Sequence, residues 1–592
     1  MIKSFSMRRA LFKPGYLETF IKLYFYMRKD PSFSLIRSLK ALSLFRHERV
    51  VEYDKKIIVT SLFPPIPTKA FFRMFENHPS NTPFQDFAKC NRRSPTTIHI
   101  ALTNKCMYRC KHCCNRFKGK NKMSTHEITD LLSQLQDMGV SLIGFTGGEP
   151  LLREDLVEII KAVDDRSITI LLTTGYGLSR EKARELKNAG LFATLISLDS
   201  SKEEIHDKNR GFNGAFKIAL KAIENSREIG LYTMIATVAT NRNIRDGDLE
   251  NLFELGKKLD VHEIRVGDMI PTGSLIYSSP HDLLSPESRK MLKDVHIKYS
   301  KKRGYPKISV FSYIESEKLF GCTAGVFHSY IDAEGNLYPC DFVPISFGNV
   351  REKPIKELWR EMRETMKHPK RSCFAFENHK IIKEEFKGKL PLDKTIIERI
   401  SKKKWFMEKP DFFKTLLGKS KRMKRIKLSK LLKEIILSKN DIVLDLGGGK
   451  GIISKILPID VKKLIILDIS RKKLKSAKRK KIHVIQGDIC NLPIKKNSID
   501  KVLCINVLHH VKDLKAAIEE IRRILKKEGT IFVLDFYKKS LIGRMINLYE
   551  KTMLNPGLIN PQHLEKLFKN KGFKGNIKMV SNHQYLYLGK KN

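Results

Sequence analysis

The chain has 592 residues, too many for one hydrophobic core, and at about 150 residues per domain it predicts two to four. Hydrophobic residues make up 41%, ordinary for a globular protein, and no uninterrupted apolar run is long enough to span a bilayer, which excludes a helical membrane span. Net charge is +48, from 112 Lys and Arg against 64 Asp and Glu; such a charge attracts nucleic acid or an anionic membrane, but it carries no specificity by itself.

The basic N-terminus has no apolar stretch followed by a small-residue cleavage site, so the expected location is the cytoplasm, with membrane-surface association as a further option. In a reducing compartment, clustered cysteines favour metal binding or catalysis over disulfides.

Residues 1–90 read as a basic, aromatic helical region. "YLETFIKLYFYMRKD" and "SLIRSLKALSLFRHERVV" mix apolar and basic residues at near-helical spacing, which suits two helices packed on the rest of the protein or a surface for a membrane or lipid-like substrate. From Thr97 the pattern becomes regular. "TIHIAL", "SLIGF", "ITILLTT", "LFATLISL", "LYTMIATV" and "HEIRV" read as strands, with helices such as "MSTHEITDLLSQLQDMG" between them, the latter opened by a capping box of Ser124 and Glu127. Six βα units over residues 91–305 predict a parallel sheet, open or partly closed, with its chemistry at the C-terminal ends of the strands. Residues 306–377 hold three separated cysteines and a hairpin turn at Glu334–Asn336. Residues 378–436, with Lys-rich runs at 401–405 and 419–430, read as a linker with some helix, and 437–592 as a second β-α-β series.

"CMYRCKHCC" brings Cys106, Cys110 and Cys113 into one loop after the first regular strand. Three thiolates suit a 4Fe-4S cluster with one iron open, whereas tetrahedral zinc wants four ligands and would need His112. Cys114 adjoins Cys113, and neighbouring side chains rarely reach one metal. The next strand ends in "TGGEPLL", followed by "LTTGYGL", "SLDS" and "HDKNRG". In this order the motifs resemble the radical S-adenosylmethionine (radical SAM) superfamily over roughly residues 95–275. The resemblance implies a partial (β/α)6 TIM-type barrel in which Cys106, Cys110 and Cys113 hold a 4Fe-4S cluster and Gly147, Gly148, Glu149, Thr174, Ser197, Asp199 and Arg210 lie near S-adenosylmethionine. It also implies a low-potential electron donor such as ferredoxin or flavodoxin. The segment from Cys322 to Trp359 resembles the start of a SPASM/twitch-type auxiliary region, which implies a second iron–sulfur cluster on Cys322, Cys340 and Cys373. The long cysteine run of a full SPASM domain is absent from the sequence, and buried structural thiols are the competing reading.

"DIVLDLGGGKGIISKIL" passes from strand through a glycine loop into an expected helix, a loop that lets backbone approach a ligand. Asp468 ends the next strand, where a carboxylate can take both ribose hydroxyls, and Asp488 follows a third. This series resembles the class I SAM-dependent methyltransferases, a Rossmann-like fold. The resemblance implies SAM binding by Asp445, Gly447, Gly449, Gly451, Asp468, Asp488 and Ile489, with His509 or His510 either accepting a proton or shaping the loop.

The expectation is therefore one α/β polypeptide with two chemically different SAM sites. One would cleave SAM homolytically for C–H activation and the other would transfer its methyl group, on a small-molecule, lipid or peptide substrate. Modification of tRNA or other RNA is the alternative suggested by charge, and a third reading keeps the C-terminal fold as a binding or scaffold module.

Overall fold

In a computed structural model of the chain, the residues described are 3–6, 14–117, 119, 122–279, 282–366, 368–401, 410–417, 436–449, 451, 457, 461–471, 474, 477, 482–511, 513–536, 559–581 and 584–592. They belong to two compact units, Met1–Gly418 and Lys419–Asn592. The two Lys-rich runs, apart from Ser401, and most of the helix expected after Gly451 lie outside the described residues.

In the first unit, β1 (Lys3–Ser6), β2 (Arg49–Tyr53) and β3 (Lys56–Ile58) form a small antiparallel sheet. The main sheet carries seven parallel strands in chain order: β4 (Thr97–Thr103), β5 (Leu142–Gly147), β6 (Ile168–Thr173), β7 (Ala193–Ser197), β8 (Tyr232–Ala239), β9 (Glu263–Asp268) and β10 (Lys307–Val310). On its far edge β11 (His328–Ile331) pairs in parallel with β4, and β12 (Leu337–Tyr338) pairs antiparallel with β11. The six expected strands are β4–β9, and the open sheet continues past them at both ends.

Alternation on β4 sets the two faces. Ile98, Ile100 and Leu102 enter the main hydrophobic core, whereas Ala101 packs with Tyr330, Ala333 and Tyr338 on the other face. The helix Thr125–Met138 begins with the expected capping box, in which Ser124 Oγ accepts from the Glu127 N–H and Glu127 Oε2 accepts from the Ser124 N–H. Its Ile128, Leu131, Leu132 and Leu135 are buried at helical spacing.

The N-terminal region differs from an all-helical one. After the helices Pro14–Arg28 and Leu35–Leu42, β-branched Val50 and Val51 extend the chain, and Asp54 and Lys55 turn it back with φ of 46° and 56°, the sign a two-residue hairpin turn needs. Val51 and Ile58 of this hairpin pack with Leu142, Ile170, Leu195 and Met234 from the main-sheet strands. The first part of the expected linker is also folded: Ile382, Phe386, Phe412 and Phe413 are buried, and Phe413 stacks on Phe327 at 5.5 Å. Aromatic residues in a Lys-rich stretch were the available sign.

The second unit is a seven-stranded sheet in the order β15 (Ile482–Gln486), β14 (Lys463–Asp468), β13 (Ile442–Leu446), β16 (Ile499–Ile505), β17 (Leu525–Phe536), β19 (Gln584–Lys591), β18 (Phe573–Ser581). The first five are parallel and the last two form an antiparallel hairpin on β17. Strand order reverses between β13 and β16, the position where an open α/β sheet forms its ligand crevice. No helix among the described residues is long and apolar enough to cross a membrane.

Candidate functional site

The cysteine loop follows β4 and is held by backbone hydrogen bonds to two other segments. The Arg109 and Lys111 N–H groups donate to the carbonyls of Arg210 and Asn209, both at 3.0 Å, and Ser274 N–H donates to the Cys113 carbonyl at 2.9 Å. Gly211 and Gly273 permit this approach, since a Cβ at either would overlap the carbonyl of Arg109 or Cys113, and both have positive φ. Cys106 is exposed while Cys110, Cys113 and Cys114 are half-buried. Arg210 Nη1 lies 3.9 Å from Cys110 Sγ, and its other nitrogens pair with both oxygens of buried Asp199 at 2.8 Å. Burial opposes ionisation of Asp199, but the Arg210 guanidinium holds its carboxyl below the usual value.

Four residues of the motif "HDKNRG" have defined contacts. His206 Nδ1 accepts from the Asp199 N–H at 3.0 Å, Asp207 accepts from the N–H groups of Gly214 and Phe216, Arg210 reaches Asp199 and Cys110, and Gly211 makes room for Arg109. His112 turns to Asp199, with Nε2 3.7 Å from Oδ2. Cys114 lies close enough to Tyr330 to act on it electrostatically.

Glu149 is fully buried at the end of β5. Its Oε1 accepts from Thr173 Oγ1 at 2.7 Å and the Leu151 N–H at 3.1 Å, and its Oε2 from the Thr174 N–H at 2.8 Å and Oγ1 at 2.5 Å. Burial raises its pKa against these bonds. The carboxylate therefore ties the ends of β5 and β6 together. Gly147 (φ 130°) and Gly148 press against the Thr103 and Lys105 carbonyls, where any Cβ would overlap. Ser197 ends β7, half-buried.

Cys322, Cys340 and Cys373 come from three segments and converge closely enough to act on one another electrostatically. Burial pushes the Cys322 thiol up to about 11 and raises Cys340 and Cys373 as well. Such thiols ionise when a metal displaces the proton. Lys370 is buried beside Cys322, and its carbonyl accepts from the Cys322 N–H at 2.8 Å, a neighbour no motif announced.

Neither cysteine triplet is gathered for a single ion. Among the described residues, the only group of three or more His, Cys, Asp or Glu ligand atoms all within 4.8 Å of one another is His99, His328 and Asp341. Zinc–sulfur bonds of about 2.3 Å would draw three thiolates closer than that. Neither triplet is therefore closed on one zinc ion, and three thiolates on one loop are a donor set that iron–sulfur clusters use.

In the second unit the glycine loop leaves β13 with positive φ at Gly447, Gly449 and Gly451. A Cβ at Gly447 would overlap Val507, and one at Gly448 would overlap the buried Asp445 carboxylate. Asp468 Oδ2 accepts from the Gly449 N–H at 3.1 Å and Oδ1 from the Ser470 N–H at 2.8 Å, so it braces the loop. Asp488 is exposed and accepts from the Cys490 N–H, while Ile489 is half-buried against the core. After β16, two residues past Val507, buried His509 shares a 2.5 Å hydrogen bond from Nδ1 to Oδ1 of Asp535 on β17. His510 is exposed. Asp535 was not visible as a partner because 26 residues separate it from His509.

Comparison with known proteins matches three domain families. Residues 100–256 match the radical SAM superfamily, 322–382 the SPASM iron–sulfur cluster-binding domain, and 444–533 a methyltransferase domain. An AdoMet-dependent heme synthase of Methanosarcina barkeri is 29% identical over 290 residues, 45% of this chain and 82% of that protein. A PqqA peptide cyclase of Rhizobium meliloti is 25% identical over 281 residues, 45% of this chain and 74% of that protein. Among solved structures, Streptococcus suis SuiB bound to its precursor peptide SuiA is 17% identical over 47% of this chain and 67% of that one, with a TM-score of 0.40. The chain is an enzyme that combines a radical SAM domain, a SPASM iron–sulfur domain and a methyltransferase domain. This domain set implies a 4Fe-4S cluster, S-adenosylmethionine and further iron–sulfur binding in the SPASM region.

Proposed function

We propose that the chain uses S-adenosylmethionine in two ways, as a radical source in the first unit and as a methyl donor in the second. The observation that carries the first half is the clamped loop of Cys106, Cys110 and Cys113, a three-thiol donor set whose Cys110 sulfur receives the Arg210 guanidinium. When bound there, a 4Fe-4S cluster supplies one electron to the sulfonium of S-adenosylmethionine, yielding the 5′-deoxyadenosyl radical that takes hydrogen from a substrate carbon. The protein residues position and shield. Asp199 fixes Arg210 beside the thiolates, Glu149 holds the ends of β5 and β6 together, and Gly147 and Gly148 bring bare backbone to the cofactor side of the loop. Cys322, Cys340 and Cys373 hold the auxiliary cluster.

In the second unit the Gly447–Gly451 loop receives S-adenosylmethionine, and transfer requires alignment more than chemistry from the protein. Asp535 orients His509 through Nδ1, and His509 takes a proton from the acceptor, so an acceptor oxygen or nitrogen that must lose a proton suits this site. The relatives named for heme synthesis and PqqA cyclisation support a cofactor precursor or a peptide as substrate. The test is anaerobic reconstitution with iron and sulfide, followed by reduction with S-adenosylmethionine and assay of methyl transfer to extract of a deletion strain. Both 5′-deoxyadenosine and a methylated product are expected. Absence of the first removes the radical half, and absence of the second leaves the C-terminal fold as a binding module.

A further inference from the structure

Next to the auxiliary cysteines, with Asp341 directly after Cys340, three side chains converge at the β4–β11 edge. In their parallel pairing Thr97 faces His328 and His99 faces Tyr330, so His99 and His328 emerge from the same face two residues apart. The chain then passes through β12 and returns Asp341 over this edge. His99 Nδ1 lies 2.8 Å from Asp341 Oδ1, His328 Nε2 lies 2.5 Å from Asp341 Oδ2, and the imidazole centroids are 4.6 Å apart. Room for the His99 ring comes from Gly144 on β5, where a Cβ would overlap its Cδ2. All three side chains are half-buried, at 13–17% exposure, so a small ion can reach them.

We propose that His99, His328 and Asp341 bind a single divalent transition-metal ion of the zinc class, separate from the iron–sulfur cysteines. Two imidazole nitrogens and one carboxylate oxygen are the donor set of such ions, softer than calcium or magnesium prefer and harder than a cluster requires. Three protein ligands leave a fourth position for water or an anionic oxygen of a ligand. The donors stand on two paired strands and the segment beyond β12, so the gathering is set by the sheet, and their atoms lie within 4.8 Å of one another as neither cysteine triplet does. The competing arrangement is metal-free, with both imidazoles donating N–H to one carboxylate.

The experiment titrates the full-length, iron-reconstituted chain with cobalt(II), followed by absorption. One equivalent showing ligand-field bands without thiolate-to-cobalt charge transfer, displaced by one equivalent of zinc(II), is expected. His99→Gln and His328→Gln should each weaken cobalt binding at least about tenfold with iron content unchanged. On the wild-type chain, zinc should also protect His99 and His328 from acylation by diethyl pyrocarbonate, a readout that needs no variant. No cobalt equivalent, a thiolate-type spectrum, binding indifferent to both substitutions, or no zinc protection overturns the proposal in favour of the hydrogen-bonded triad. Formation of 5′-deoxyadenosine is scored separately, so the radical reading and the metal site fail independently.

Discussion

The two loops proposed to meet S-adenosylmethionine occupy equivalent positions, each after the first strand of a parallel series, β4 and β13, yet they are built from opposite materials. The Cys106–Cys113 loop presents side chains and is braced by the buried Asp199–Arg210 ion pair. The Gly447–Gly451 loop presents backbone and is braced by one carboxylate, Asp468. An iron–sulfur cluster is held by thiolates, whose charge must be offset nearby, whereas presenting a sulfonium for displacement demands close approach and alignment. Under the proposed function, that difference in chemistry accounts for the difference in construction.

The sharpest way to break the comparison is to replace Cys106, Cys110 and Cys113 together by Ala. Formation of 5′-deoxyadenosine should vanish while methyl transfer persists; parallel loss of both would mean that the second site depends on the first. Arg210→Met leaves Asp199 charged and buried beside the loop, and breaking a buried pair costs about 3–5 kcal/mol, read by chemical denaturation. Adding Asp199→Asn should recover part of that loss. In the second unit, His509→Gln should lower methyl transfer about 100-fold, with S-adenosylmethionine affinity little changed. Gly447→Ala must adopt a positive φ against Val507, and a roughly tenfold weaker Kd for S-adenosylmethionine, about 1.4 kcal/mol, is expected by calorimetry, with 5′-deoxyadenosine formation unaffected.

The smallest effect is in pH. Burial pushes His78 down to about 4 and His262 to about 3, both in the first unit. An unfolded histidine takes its proton near about pH 6.5, so the folded chain keeps this stability above that value and loses it as pH falls through the window toward about 4. Thermal unfolding of the full chain should show a transition that moves down over this range, with a shallower slope in His262→Gln.

Much of this was legible from the sequence where local pattern and chemistry coincide. Alternating apolar residues identified β4–β9, Ser124 and Glu127 announced their capping box, and the cysteine and glycine spacings announced two loops. What stayed hidden depended on distant partners. The β2–β3 hairpin was masked by basic residues at near-helical spacing, and Phe412 and Phe413 sat in a stretch whose lysines dominated its composition. Gly273 says nothing of Cys113 until both are folded.

By itself the sequence determined the strand and helix periodicities and the two signature loops, because hydrophobic spacing and residue type act over a few neighbours. Only the tertiary structure decided that His112 turns to Asp199, that Glu149 spends its carboxylate on Thr173 and Thr174, that Asp535 backs His509, and that His99, His328 and Asp341 meet. Those contacts join residues tens to hundreds of positions apart, and strand pairing and buried charge compensation, not local propensity, bring them together.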